Sequence, residues 1–290
     1  DTLLYTDAYA SGKPNKVGGL NFKPDFIWIK AREGTESHSL NDTVRGAGRR
    51  LFSSGSNAED AGGIAEFTED GFIGSAGYGS DGDGTGHDFV AWCWKAGNET
   101  TVNNNGTVTS TVSVNQDAGF SIVNFTGTGA NLTVGHGLNI APEIIICKGR
   151  EVSNNWLVYV EALSDNNKAL SLAESGAGYT GSHLWNNTDP TSTVFTVGTA
   201  GAHNTADKDT IAYCWHGVEG YSKFGSYRGN GNADGPFVYL GFRPAMIIFK
   251  STAGGQNWEI FDNKRPGYNP NNLRLYPNDT TAEPTASARV

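Results

Sequence analysis

One pattern of apolar and polar positions recurs along this chain. Gly19-Leu20-Asn21-Phe22-Lys23-Pro24-Asp25-Phe26-Ile27-Trp28-Ile29-Lys30 is echoed by Gly137-Leu138-Asn139-Ile140-Ala141-Pro142-Glu143-Ile144-Ile145-Ile146-Cys147-Lys148. A third instance reads Gly241-Phe242-Arg243-Pro244-Ala245-Met246-Ile247-Ile248-Phe249-Lys250. Each instance has a Pro where a strand's first residue can spare its N–H, then an apolar run ending on a Lys six residues later. Such a run predicts a buried central strand.

The match extends in both directions. Upstream of each run lies an aromatic strand followed by a Gly-rich turn. Eight residues past the Lys stand His38, Trp156 and Trp258, and twelve past it Asp42, Val160 and Asp262. Fifteen past it, Arg45 and Arg265 agree between the first and third copies. Phe89-Val90-Ala91-Trp92-Cys93-Trp94 matches Thr210-Ile211-Ala212-Tyr213-Cys214-Trp215, with the Cys 63 and 66 residues past the Lys. Further short apolar runs are separated by Asn, Gly, Asp and Pro, and no segment sustains a 3.6 period. The pattern therefore predicts an all-β fold of tandem β-sandwich or jelly-roll-like modules, two complete and one incomplete. A propeller blade holds four strands in about 40 to 50 residues, shorter than these units.

The expected organisation is module one over residues 1–100, a polar connector over 101–117, module two over 118–219 and an incomplete module three over 220–290. By the repeat spacing, the third copy should reach its aromatic-Cys strand about 65 residues after Lys250, past Val290. Either the polypeptide continues, which is the favoured expectation, or another chain supplies the strand. The start at Asp1 likewise suggests a processed or truncated product.

Composition narrows the function. With 39 Gly among 290 residues and 18% charged residues, the chain has the profile of short strands joined by tight turns. A net charge of −9 and no basic run argue against nucleic acid as a partner. No apolar stretch is long enough for a membrane-spanning helix, so membrane insertion is not expected. Cys93, Cys147 and Cys214 cannot all pair within one chain and lack zinc spacing, which reads as buried free thiols.

Candidate chemistry is sparse. Ser80-Asp81-Gly82-Asp83-Gly84-Thr85-Gly86-His87-Asp88 puts carboxylates at alternating loop positions, which makes Asp81, Asp83 and Asp88 candidate calcium ligands. It lacks the terminal Glu of an EF-hand, and an acidic hairpin loop is the plainer reading. Asp42/Arg45 and Asp262/Arg265 are the charged pairs that recur. Their three-residue spacing suits a structural ion pair better than a paired-carboxylate hydrolase. The histidines show no metal-ligand spacing. Exposed tryptophans would stack on sugars or anchor a partner. Trp185, in the polar stretch Leu184-Trp185-Asn186-Asn187-Thr188, is the best exposed candidate, with Trp156 and Trp258 as further ligand-binding candidates.

The blocks Phe26-Ile27-Trp28-Ile29-Lys30, Asp42-Thr43-Val44-Arg45-Gly46-Ala47-Gly48, Phe89 to Gly97, Gly119-Phe120-Ser121-Ile122-Val123 and Gly220 to Tyr227 cover the chain. Together they resemble an uncharacterised repeat-domain family of virion-associated proteins of tailed, especially marine, bacteriophages. The resemblance implies a tail-fibre-like or head-fibre-like protein, located in the virion and extracellular. It carries no catalytic residues and no cofactor to transfer. Its implied partners are other virion subunits, a host cell-surface glycan or protein, and further copies in a homotrimer. A carbohydrate-binding lectin or surface filament is the alternative, and a glycan depolymerase the third.

Overall fold

The computed structural model describes residues 1–6, 15–75, 86–232, 234–266 and 271–284. The first copy contributes β1 (Thr2–Thr6), β2 (Lys16–Gly18), β3 (Phe26–Ala31), β4 (Ser39–Asp42), β5 (Arg49–Phe52), β6 (Asp60–Ala61), β7 (Ile64–Thr68), β8 (Gly71–Gly74) and β9 (Asp88–Trp94). The second contributes β10 (Thr101–Asn103), β11 (Ser110–Asn115), β12 (Phe120–Thr126), β13 (Leu132–Gly135), β14 (Ile144–Gly149), β15 (Leu157–Val160), β16 (Lys168–Ser171), β17 (Tyr179–Thr180), helix α1 (Ser182–Trp185), β18 (Val194–Val197) and β19 (Asp209–Trp215). The third contributes β20 (Met246–Phe249) and β21 (Glu259–Asp262). The fold is all-β and sandwich-like, as the apolar pattern predicts. The connector over 101–117 supplies β10 and β11, which extend the second copy's sheet.

The repeat is topological. One sheet runs β1-β9-β3-β4-β5-β6, and the other carries β12-β19-β14-β15-β16-β17 in the same order. Trp28 faces Trp92 across the first ladder, as Ile146 faces Tyr213 across the second. Gly19, Gly137 and Gly241, which open the three recurring segments, have φ of 114°, 77° and 86°. That left-handed backbone explains why all three copies have Gly there.

Strand alternation sends the central strand's residues to two cores. In copy one, Ile27, Ile29, Ala91 and Cys93 pack under a small second layer, β2-β8-β7, through Val17, Ile64 and Phe72. In copy two, Ile145, Cys147, Ala212 and Cys214 pack under the pair β13-β18. The opposite faces of both sheets meet each other and the third copy in one shared core. It joins Phe26, Trp28 and Trp92 to Ile146, Trp156 and Tyr213, and to Trp258, Ile260 and Leu275. Burial on both faces explains why Phe26 to Ala31 is uninterrupted by a polar residue until its Lys. Each large apolar side chain placed there contributes about 1.5 to 3 kcal/mol.

The recurring Lys has a structural task as well. Lys30 Nζ donates to Ala31 O at 2.8 Å, Lys148 Nζ to Gly149 O and Val152 O at 2.8 and 2.7 Å, and Lys250 Nζ to Ser251 O at 2.8 Å. Each ammonium thus satisfies a carbonyl near its strand's end. Burial lowers both Lys30 and Lys148 to about 8. The three cysteines are free and buried, and burial pushes the Cys93 thiol up to about 12.

Three buried histidines among the described residues, His38, His136 and His203, are held neutral by burial. His38 Nδ1 accepts the Trp28 indole N–H at 2.9 Å, and His136 Nδ1 accepts the Leu138 N–H at 3.2 Å. Burial depresses both, His136 to about 4. Their folded values lie below the unfolded value of about 6.5, so the unfolded chain takes up protons first as pH falls. Stability should therefore decline between about pH 6.5 and 4. Denaturant midpoints measured from pH 7 to 4.5 check this, and His136→Gln should flatten the slope; an unchanged slope would contradict the assignment.

Candidate functional site

The recurring Asp and Arg form the centre of a joint between copies. Asp42 ends β4, and the turn after it brings Arg45 back, so that the Arg45 backbone N–H and Nε donate to Asp42 Oδ1 and Oδ2 at 2.8 and 2.5 Å. Both side chains are fully buried. Arg45 Nη2 reaches Leu40 O at 2.7 Å and the Tyr213 hydroxyl of copy two at 3.2 Å. Tyr213 donates in turn to Asp42 Oδ2 at 2.8 Å. Burial opposes the Arg45 charge, but Asp42, Tyr213 and Glu59 outweigh it and hold the guanidinium above its usual range. Glu59 completes the joint by accepting from Arg45 Nη1 at 3.2 Å and from Nε and Nη2 of Arg150, in copy two, at 3.0 and 2.9 Å.

The same assembly joins copy three to copy one. Arg265 N–H and Nε donate to Asp262 at 2.9 and 2.7 Å, and the Trp92 indole N–H donates to Asp262 Oδ2 at 3.1 Å. The Arg265 guanidinium carbon lies 5.7 Å from the centre of the Trp92 ring. Glu283 bridges Arg265 Nη1 at 3.0 Å to Arg32 Nη2 at 3.0 Å. Trp92 corresponds to Tyr213 in the repeat, and Arg32 to Arg150. At the third joint, between copies two and three, the positions hold Val160, Leu163 and Thr252.

Two of the proposed ligand-binding tryptophans belong to the same joints. Trp156 is buried and its indole N–H donates to Phe52 O of copy one at 2.8 Å; that of Trp258 donates to Ser171 O of copy two at 2.7 Å. Trp185 is corrected as well. It ends α1 at 1% exposure, donating to Lys168 O at 3.1 Å with its ring edge-on to Tyr159 and His203. Asn186 and Asn187 adopt left-handed φ of 52° and 51°, so the polar run after Trp185 marks a tight turn. None of the three rings is available to stack on a ligand.

Of the calcium candidates, Asp81 and Asp83 lie outside the described residues. Asp88 opens β9 and accepts from Thr6 Oγ1 at 2.7 Å, with Arg32 Nη1 at 3.8 Å. Asp209 does the same in copy two with Thr126 at 2.9 Å and Arg150 at 3.2 Å. Asp88 is thus a strand clasp, and its counterpart repeats the arrangement without the acidic loop. Among the described residues, no three His, Cys, Asp or Glu are grouped to hold a metal ion.

Two open surfaces stand out among the described residues. A groove of about 680 Å³ beside β15 is lined by Pro142, Glu143, Tyr159, Glu161 and Asp189. Its polar groups are partly satisfied within the protein: Glu143 accepts the Gly217 N–H at 2.6 Å, and Tyr159 donates to Asp189 at 3.1 Å. The second surface lies in copy three, where Tyr221, Tyr227, Phe237, Tyr239 and Ile247 are exposed.

A family model described as a domain of unknown function, DUF7483, matches residues 1–290. The chain belongs to this family. No curated protein and no solved structure matches it. The DUF7483 match runs across all three copies and therefore across both charged joints.

Glu59, Glu283, Arg32 and Arg150 escape a reading of spacing alone, whereas Trp92 and Tyr213 stand in the matched Cys block, which marks them as equivalent but not as joint residues. Lys-x-Arg recurs at Lys30-Ala31-Arg32 and Lys148-Gly149-Arg150, and is the signal that could have marked the arginines. The glutamates stand 29 and 33 residues past their lysines, so no fixed offset reveals them.

Removing one member of a buried ion pair leaves the other uncompensated, at a cost of about 3 to 5 kcal/mol. Arg45→Met and Asp42→Asn should each destabilise on that scale in equilibrium denaturation. The double change Asp42→Val with Arg45→Leu, which copies the third joint, should cost less than either single change. Single variants within about 0.5 kcal/mol of the parent would contradict the joint's role.

Proposed function

We propose that the chain is a structural and adhesion protein of a bacteriophage virion, a fibre or appendage module that presents loops to the host. The observation that carries this is where the recurring chemistry sits. Asp42, Arg45, Asp262 and Arg265, with Trp156 and Trp258, are buried and hold one copy against the next. Repetition of that kind favours a rigid building block over a reaction centre. The buried thiols and the neutral histidines fit the same role, since each serves packing. The resemblance of the Phe26 to Lys30, Phe89 to Gly97 and Gly220 to Tyr227 blocks to virion-associated repeat proteins supplies the setting. In it the partners are other virion subunits, further copies of this chain in a trimeric fibre, and a glycan or protein on the host surface.

Antibodies raised against the purified chain and coupled to gold should decorate an appendage of intact particles in electron micrographs. Pre-incubating host cells with the chain should slow particle adsorption, and periodate treatment of the cells separates a glycan receptor from a protein one. Unlabelled particles, with the chain free in the lysate, would overturn the assignment.

A further inference from the structure

Asn-Gly, the dipeptide whose side-chain amide is most easily lost, occurs at Asn105-Gly106 and Asn230-Gly231. Glycine favours that loss because a residue without Cβ lets its backbone nitrogen reach the preceding carboxamide carbon. The fold treats the two sites differently.

Asn105 lies in the turn between β10 and β11 and is exposed. Its neighbours are held: Asn103 Oδ1 accepts the Asn105 N–H at 2.9 Å, and Asn104 Oδ1 accepts from Thr109 Oγ1 at 3.0 Å. Among the described residues, neither the Asn105 carboxamide nor the Gly106 N–H has a hydrogen-bond partner, so the electrophile and the nucleophile are both free. At the second site both arms of the carboxamide are engaged. Asn230 Nδ2 donates to Asp234 O at 2.9 Å, and its Oδ1 accepts the Asn232 N–H at 3.0 Å.

The turn that carries Asn105 is also seated on copy two's second layer. Gly106 lies so close to Thr133 O of β13 that no Cβ would fit between them. Thr107 then clasps Thr133. Its N–H donates to Thr133 O and Oγ1 at 3.0 and 2.9 Å, and its Oγ1 accepts the Thr133 N–H at 2.9 Å. Beside this clasp, Val108 packs against the core beneath β13 and β18.

We propose that Asn105 is a site of spontaneous covalent modification that releases the clasp between Thr107 and Thr133. The Gly106 nitrogen attacks Asn105 Cγ. The new C–N bond closes a succinimide, the bond from Cγ to Nδ2 breaks, and the Gly106 amide proton leaves with Nδ2 as ammonia. Water then adds to one of the ring carbonyls and opens the ring, to aspartate or to isoaspartate, in which the main chain runs through Cγ. Both products add a negative charge to the turn. Isoaspartate also lengthens the main chain by a methylene just before the contact of Gly106 with Thr133, which displaces Thr107 and loosens the rim of the layer over copy two's core. The site is independent of whether the chain belongs to a virion.

The test ages the whole chain in mildly alkaline buffer, digests samples over time and reads them by mass spectrometry. The amide-to-acid mass gain marks conversion, and fragmentation separates isoaspartate from aspartate. In the folded chain Asn105 should convert about fivefold faster than Asn230, the factor expected from a side-chain hydrogen bond that must first break. In denaturant the two sites should convert at similar rates. Hydrogen exchange at Thr107 and Thr133 should be about tenfold faster in converted chains. Asn105→Gln, whose longer side chain must close a larger and slower-forming ring, should show neither change. Asn230 converting as fast as Asn105 in the folded chain would overturn the proposal. So would a rate difference that survives denaturation, or unchanged exchange at Thr107 and Thr133 once Asn105 has converted.

Discussion

Each central strand of the repeat turns alternate side chains to opposite faces, and the face carrying Phe26 and Trp28, Ile144 and Ile146, or Met246 and Ile248 is covered chiefly by the corresponding faces of the other copies. Everything else in the molecule accommodates that constraint. A sheet with one solvated face would alternate apolar and polar residues, but these strands are apolar on both faces because each borders two cores. The small layers β2-β8-β7 and β13-β18 cover one side, and the neighbouring copies cover the other. Copy three contributes β20 and β21 to the shared core without a described second layer of its own, which leaves Ile247 open to solvent.

A core made by three segments needs polar groups at its seams, since backbone carbonyls and edge side chains are desolvated there. An unsatisfied buried group costs about 1 to 3 kcal/mol. The joints answer this with a fixed kit. An Asp orients an Arg, the Arg meets the aromatic of the next copy's last strand, and a Glu ties that Arg to a second one across the seam. Indole N–H groups of Trp156 and Trp258 satisfy carbonyls in the adjoining copy. Where the kit is replaced by Val160, Leu163 and Thr252, no ion pair stands at those positions, and Trp258 Nε1 and Lys250 Nζ bridge the seam to Ser171 O and Ser175 O.

Much of the fold was legible in the sequence, because a Pro-to-Lys apolar run with β-branched residues admits few structures other than a buried strand. Asp42 with Arg45, and Asp262 with Arg265, were legible as ion pairs from their three-residue spacing. The shared core was not, since no one-dimensional pattern distinguishes an apolar face buried by its own module from one buried by its neighbour. Trp185 misled for a related reason: polar neighbours signal a turn, and a turn can aim the residue before it inward. The prediction for Trp156 and Trp258 failed because their hydrogen-bond acceptors, Phe52 and Ser171, are distant in sequence. Glu59 and Glu283 stayed hidden because insertions shift them to unequal offsets.

One shared core implies that the three copies unfold together. Differential scanning calorimetry of the whole chain measures this directly, by comparing the heat absorbed with the enthalpy inferred from the transition's width. Agreement of the two in a single transition is the predicted result. Two or three separable transitions, or a calorimetric enthalpy well above the van't Hoff value, would show that the copies are independent modules and contradict the account.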